Sequence, residues 1–273
     1  MRRIFLILFA LSSVFSYSQE KENRKGEFII LWGWNRAWYS DSDIHFSGPD
    51  YDFTLHNVKA RDRQTKFDPG IYFHPKWITL PQTNFKIGYF ITNNYEISIA
   101  VDHMKYIVNQ NQKVKINGDI NIAEDTIYNG LYNNNEIEIE YDFIKKDGFL
   151  AFEHTDGLNY IHLEYRRFDN LLTFNQFGIN LTEGIGVGVL FPRTNSSLLG
   201  HDRYDQFNVA GYGINSVIGI NLNFQRWFIQ SELKGGFINM PNIRTTNNSS
   251  DKASQHFSYV QANFLVGVRF RLK

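Results

Sequence analysis

A chain of 273 residues, 42% hydrophobic and 21% charged, is long enough for a sizeable core and too apolar for wholesale disorder. Its 28 basic and 28 acidic residues cancel, which removes the electrostatic case for a nucleic-acid partner, and the absence of cysteine removes disulfides, thiol catalysis and zinc–thiolate sites. Aromatic content is high, at 24 Phe, 15 Tyr and 5 Trp, yet mean hydropathy is -0.36, so large apolar side chains are interleaved with polar ones.

Arg2 and Arg3 precede the apolar run Ile4 to Val14, and Ser16 and Ser18 precede a cleavage point after Ser18, the layout of a secretory signal peptide. The run falls short of the roughly 20 residues a membrane helix needs. Removing residues 1–18 takes away two arginines and no acid, leaving 26 basic against 28 acidic residues, a formal charge of -2.

Beyond residue 18 the apolar positions recur with period two, the mark of strands rather than helices. Phe85, Ile87, Tyr89 and Ile91 share one face, Asn93-Asn94 makes a tight turn, and Tyr95, Ile97, Ile99 and Val101 continue the face on a return strand. Ile214, Ile218, Ile220, Leu222 and Phe224 repeat the pattern opposite Asn215, Gly219, Asn221 and Asn223. Gln225-Arg226 then turns the chain into Trp227, Ile229, Leu233 and Phe237. Ten strands are expected, at 27–39, 51–60, 68–76, 84–92, 95–107, 158–167, 173–191, 208–224, 227–240 and 257–272. Several are long enough to cross a bilayer at a tilt, for which about 9 to 11 residues suffice. Tight turns at 93–94, 225–226 and 169–170 alternate with long polar connections at 40–50, 109–135, 192–206 and 241–255. Residues 136–143 alternate Glu136, Glu138, Glu140 and Asp142 with Ile137, Ile139, Tyr141 and Phe143, and with a turn at Lys145-Lys146-Asp147-Gly148 are expected to form a hairpin projecting above the strands, since the return at 149–155 is short for a crossing. Trp32, Trp34, Trp38 and Tyr39 suit an interfacial aromatic girdle.

Export signal, period-two strands, asymmetric connections and a terminal Gly267-Val268-Arg269-Phe270-Arg271-Leu272-Lys273 together resemble the outer-membrane β-barrel proteins of Gram-negative bacteria over nearly all of residues 26–273. The resemblance implies an all-β, single-chain antiparallel transmembrane barrel, of ten strands within a range of eight to twelve, at residues 26–273. It also implies a periplasmic segment at 19–25, insertion by the barrel-assembly machinery through the C-terminal strand, a lipid environment, and no cofactor. With apolar faces toward lipid, the lumen receives Lys86, Glu96, Asp102, His162, Glu164, Arg166, Glu232, Lys234, Arg269 and Arg271, either as a structural charge network or as a polar passage or small-solute site.

The leading expectation is a structural, binding or small-solute passage role. The enzyme alternative, a surface hydrolase or acyltransferase acting on lipid or peptide, rests on His154 and Asp156 as base and orienting acid. A soluble periplasmic β-sandwich binding protein is the third reading, since alternation alone does not say which face is inside. Asp41, Asp43, His45, Asp50 and Asp52 form an acidic cluster in and beside the first long loop, expected to be solvated rather than metal-binding, and His103 stands on the lipid-facing parity near a rim. Gly184, Gly186 and Gly188 alternate with apolar residues, so they serve close backbone packing rather than phosphate binding.

Overall fold

The structure is a computed structural model that describes residues 23–77, 80–123, 126–200 and 204–272; the expected signal peptide and most of the 19–25 segment lie outside the described residues. In chain order the strands are β1 (Phe28–Tyr39), β2 (Ser42–Ser47), β3 (Tyr51–Val58), β4 (Ala60–Arg61), β5 (Thr83–Phe90), β6 (Tyr95–Val108), β7 (Gln112–Ile120), β8 (Gly130–Ile139), β9 (Tyr141–Asp142) and β10 (Asp147–Gly148). They continue as β11 (Leu150–Phe174), β12 (Phe177–Leu190), β13 (Arg193–Leu198), β14 (Tyr204–Phe207), β15 (Gly211–Phe224), β16 (Trp227–Arg244) and β17 (Lys252–Phe270). A short helical turn, α1 (Pro69–Tyr72), and a 3-10 turn at Pro75–Trp77 interrupt the stretch between β4 and β5.

Eight of these strands close a ring in the order β1, β5, β6, β11, β12, β15, β16, β17, every pairing antiparallel, with β17 returning to β1 from Phe28↔Phe270 to Tyr39↔Tyr259. The ring thus has eight strands rather than the expected ten. Residues 51–60 are a strand, but outside the ring. Residues 68–76 are not a strand: Asp68 caps α1 through its carboxylate, which accepts from the Gly70 N–H at 2.7 Å, and Pro69 opens the helical turn. The turn expected at Asp169-Asn170 is a bulge within β11, and the chain reverses instead at Asn175-Gln176, where Asn175 has φ 51°. An even ring places the start of β1 and the end of β17 beside the three tight turns, and the four longer connections at the opposite end.

That opposite end carries a β-structured head. β17 pairs β2 at its upper end, and the sheet continues through β3, β7 and β8; residues 136–139 therefore pair back with 112–115 instead of forward across the 145–148 turn, as the expected hairpin had them. β13 and β14 add to the upper part of β11, and β9 with β10 forms a separate small hairpin. β5 is short, and above Thr83 the slot between β1 and β6 is closed by other groups: the Asn35 N–H donates to the Gln82 carbonyl (3.2 Å), the Ala37 N–H to the Asp62 carboxylate (3.2 Å), and β4 pairs with β6.

Ring and head obey opposite solvent rules, and β11 shows both. In its lower part Ile161, Leu163 and Tyr165 are exposed while His162, Glu164 and Arg166 are buried; in its upper part Leu150, Phe152 and Leu158 are buried while Asp156 is exposed. The change falls at the bulge between His154 and Leu158. Trp32 and Trp34 stand on the outer wall as expected of a girdle, and Trp38 is exposed. Tyr39 does not join them: it faces inward and donates its hydroxyl to the Lys105 carbonyl at 2.8 Å.

Candidate functional site

The lumen is occupied in three layers. Nearest the tight turns, Ile29, Leu31, Phe90, Phe168, Phe228 and Leu265 pack together. Below them Arg24, buried, donates to the Asn93 carbonyl (3.2 Å) and to the Asn180 side chain, with its guanidinium over the Phe90 and Phe168 rings. At the head side the barrel interior merges with the core of the head in one apolar cluster that runs from Met104, Tyr160 and Tyr259 to Phe46, Phe53 and Phe149.

Between the two apolar layers lie eight of the ten lumen residues expected from strand parity. Arg166 on β11 donates twice to Glu164 (2.9 and 2.7 Å) and reaches Glu232 on β16 at 2.5 Å. Lys86 on β5 donates to Glu164 at 3.1 Å and lies 3.9 Å from Glu96. Lys234 donates to Asp102 (2.6 Å) and to the His162 ring (3.3 Å), and Tyr160 stacks on that ring at 4.5 Å. Gln230 and Asn263 donate to Glu232, and Asn84 to Asp102, so amides supplement the ion pairs. Three cations face four carboxylates here. The layer is shielded from water, with Arg166 1% and Glu164 2% exposed; a water-filled bore would have wetted them. The other two residues stand apart from it: Arg269 is at the tight-turn mouth, donating to the Gln225 carbonyl, and Arg271 lies past the end of β17 beside Glu27.

The proposed base and acid do not meet. His154 is buried on the inner face of β11 between Tyr106 and Phe152, its ring bonded to Thr194 (3.1 Å) and Gln255 (3.4 Å). Asp156, displaced by the bulge, is on the outer face, accepting from Asn195 at 3.2 Å with Arg193 3.9 Å away. The first-loop carboxylates are likewise divided into separate pairs, His45 with Asp52 and His56 with Asp43, each at 2.9 Å on the β2–β3 hairpin. Partial burial pushes the Asp43 carboxyl up, but the Asn57 N–H and the His56 ring outweigh it and hold the group below its ordinary value. His103 keeps its outward parity yet is buried, bonded to Asn159 at 2.8 Å.

The head holds a cleft of about 570 Å³ that sequence reasoning missed. Tyr141 and Phe143, edge to face at 5.1 Å, form one wall with Lys146; Glu153, Asn195 and Ser197 on β11 and β13 form the other, with Asn247 at the rim. Asn195 is buried, its amide nitrogen donates to Glu153 and Asp156, and its carbonyl oxygen has no partner. An aromatic wall facing amide, hydroxyl and carboxylate groups can take a ligand with one apolar face and several hydroxyls. These residues come from four separated stretches, and no local signal joins them.

Around the ring, outward positions are predominantly apolar, with Arg167 and Glu183 paired across β11 and β12 and Ser216 and Ser231 as polar exceptions. Ile87 and Tyr89, Ile97 and Ile99, Leu163 and Tyr165, Ile185 and Val187, Ile218 and Ile220, Ile229 and Leu233, and Phe264 and Val266 are exposed over polar or small inward neighbours. Water-soluble proteins rarely expose so extensive an apolar belt, whereas closed strands with internally satisfied backbones are what hydrocarbon admits. The chain is a transmembrane β-barrel. A soluble β-sandwich is excluded by the closed ring and its outward belt. The sequence matches no protein-family model and no curated protein. Among solved structures it is similar to the outer membrane protein OprG from Pseudomonas aeruginosa (10% identity, 93% of this chain and 100% of that one covered, TM-score 0.42). It is also similar to the outer membrane protein AlkL (9%, 94% and 95%, 0.38) and to Neisserial surface protein A (9%, 88% and 98%, 0.31).

Proposed function

We propose that this barrel is exported to the outer membrane, is closed along its axis, and acts at the cell surface by binding a polyhydroxylated ligand, a saccharide, in the cleft of its head. Residues 1–18 would direct export and the C-terminal strand would serve the assembly machinery. The observation that carries the reading is the dry charged layer between two apolar layers: eight ionisable side chains hold one another where a solute would have to pass. Function therefore falls to the head, whose cleft is lined by the aromatic pair Tyr141 and Phe143 together with Glu153, Asn195 and Ser197.

Two measurements test it. Reconstituted in planar bilayers, the protein is expected to give no conductance steps beyond those of protein-free membranes; reproducible open-channel steps would restore axial passage. For binding, saturation-transfer NMR with a panel of maltose, lactose and chitobiose is expected to show transfer to at least one sugar. Tyr141→Ala should weaken that binding roughly fivefold, about 1 kcal/mol of ring contact. No transfer to any member, or equal transfer to the variant, removes the saccharide assignment.

A further inference from the structure

Residues 62–77 and 80–82, between β4 and β5, do not rise into the head with the other long connections. Three observations place them on the outer wall of the barrel. Phe73 meets Trp34 edge to face at 5.5 Å, and Tyr72 lies 5.9 Å from the same ring. Lys105, on the outward parity of β6 and buried, donates to the Leu80 carbonyl at 2.5 Å. Thr65 closes the segment on itself by donating to that same carbonyl at 2.7 Å, while Tyr72 donates to the Thr65 carbonyl.

Trp34 is part of the lipid-facing wall. It stands on β1 beside Trp32, 4.7 Å away, and opposite Phe264 of the belt; Trp32 lies opposite Phe85 and Val266, also belt residues. The contact with Phe73 therefore continues the belt directly onto the segment. From there the segment turns large apolar side chains outward: Phe67 is 65%, Phe73 62%, Trp77 48% and Leu80 44% exposed. Lys66, His74 and Lys76 are exposed among them. Four large apolar groups within fourteen residues, pinned by the backbone and not covered by the head, with basic residues interspersed, form the pattern of a chain lying in a membrane interface. Trp at such a site places its ring at headgroup level.

We infer that the described residues of the β4–β5 connection, 62–77 and 80–82, are an interfacial anchor: Phe67, Phe73, Trp77 and Leu80 insert into the bilayer leaflet on the head side, and the occupant of this surface is lipid. The inference rests on the transmembrane reading of the barrel and adds to it a membrane contact made by a non-strand segment. It also gives the slot above short β5 a cover on its lipid side.

The natural absence of cysteine supplies the test, because single cysteines can be introduced and labelled without background. Phe67→Cys and Leu80→Cys carry a nitroxide in phosphatidylcholine vesicles, with Ile218→Cys on the belt and Leu131→Cys on the head as references. The spectral readout is collision with oxygen, which concentrates in lipid, against collision with a water-soluble nickel complex. The oxygen-to-nickel ratio at 67 and 80 is expected to be several-fold above that at 131 and to approach that at 218. Values at 67 and 80 matching 131, with 218 still in lipid, overturn the anchor alone. An aqueous ratio at 218 overturns the transmembrane reading itself. Each variant is checked for native folding by its mobility on a gel without boiling; where Phe67→Cys fails to fold, Leu80→Cys decides.

Discussion

Arg166→Met is expected to cost the barrel about 3–5 kcal/mol, the usual penalty for breaking a buried ion pair from one side, against a total stability on the order of 5–15 kcal/mol. Arg166 is the only group that joins Glu164 to Glu232 by hydrogen bonds among the described residues. Without it the layer holds two cations, Lys86 and Lys234, against four carboxylates, in a space from which water is excluded. The urea midpoint of the protein in detergent should fall, and much of the variant should run as unfolded chain on unheated gels. Arg166→Met with Glu232→Gln removes one charge of each sign and should recover a large part of the loss. A single variant as stable as the parent would mean that the layer is hydrated, and that the lumen is not closed at this level.

Phe53→Ala is the second large effect, but on a different part of the molecule. The ring is buried in the head, 5.3 Å from Phe46, 5.9 Å from Tyr51 and 5.8 Å from Phe149. Truncation of such a side chain costs about 3–5 kcal/mol, since the transfer term is joined by a cavity the neighbours cannot fill. All three neighbouring rings belong to the head, so the loss should loosen β2, β3 and β7 while the ring of eight strands stays closed. Trypsin added to the head side of reconstituted vesicles should then cleave near Lys113 and Lys115, with the unheated barrel band retained. Loss of that band together with the head would show that the two form one cooperative unit.

Much of the ring was legible because it follows from alternation alone. From Tyr212 to Phe224 every second residue is buried, as the sequence pattern demanded. The same parity put eight ionisable residues into one layer without any knowledge of their partners. What failed has identifiable causes. Tyr51, Phe53 and Leu55 alternate with Asp52, Thr54 and His56 just as Ile97 and Ile99 alternate with Glu96 and Ser98 on β6, but here the apolar set is the buried one. Its pairing with β2 and β7, which no local pattern announces, is what places it in the head. Asp68-Pro69-Gly70 was a helix-start signal set against a short apolar run that read as a strand. Asp169-Asn170 has turn residues, yet the Asn170 amide is held inside by Thr173 and Asn180, which lets the strand continue through a bulge. The cleft was beyond reach: Tyr141 and Asn195 meet only because of long-range pairing.

The reversal of polarity within β11 has a consequence for how the molecule rides in its bilayer. Within the bulge the strand turns the Asp156 carboxylate outward; a few residues below it the outer face is Ile161, Leu163 and Tyr165. Sliding the barrel inward by two residues, about 6–7 Å along a strand, would draw the Asp156 carboxylate toward the acyl chains, and sliding it outward would wet the isoleucine. Depth is therefore set by the covalent sequence of one strand rather than by the thickness of the membrane around it. In a bilayer of the wrong thickness the lipids must stretch or thin to meet the protein.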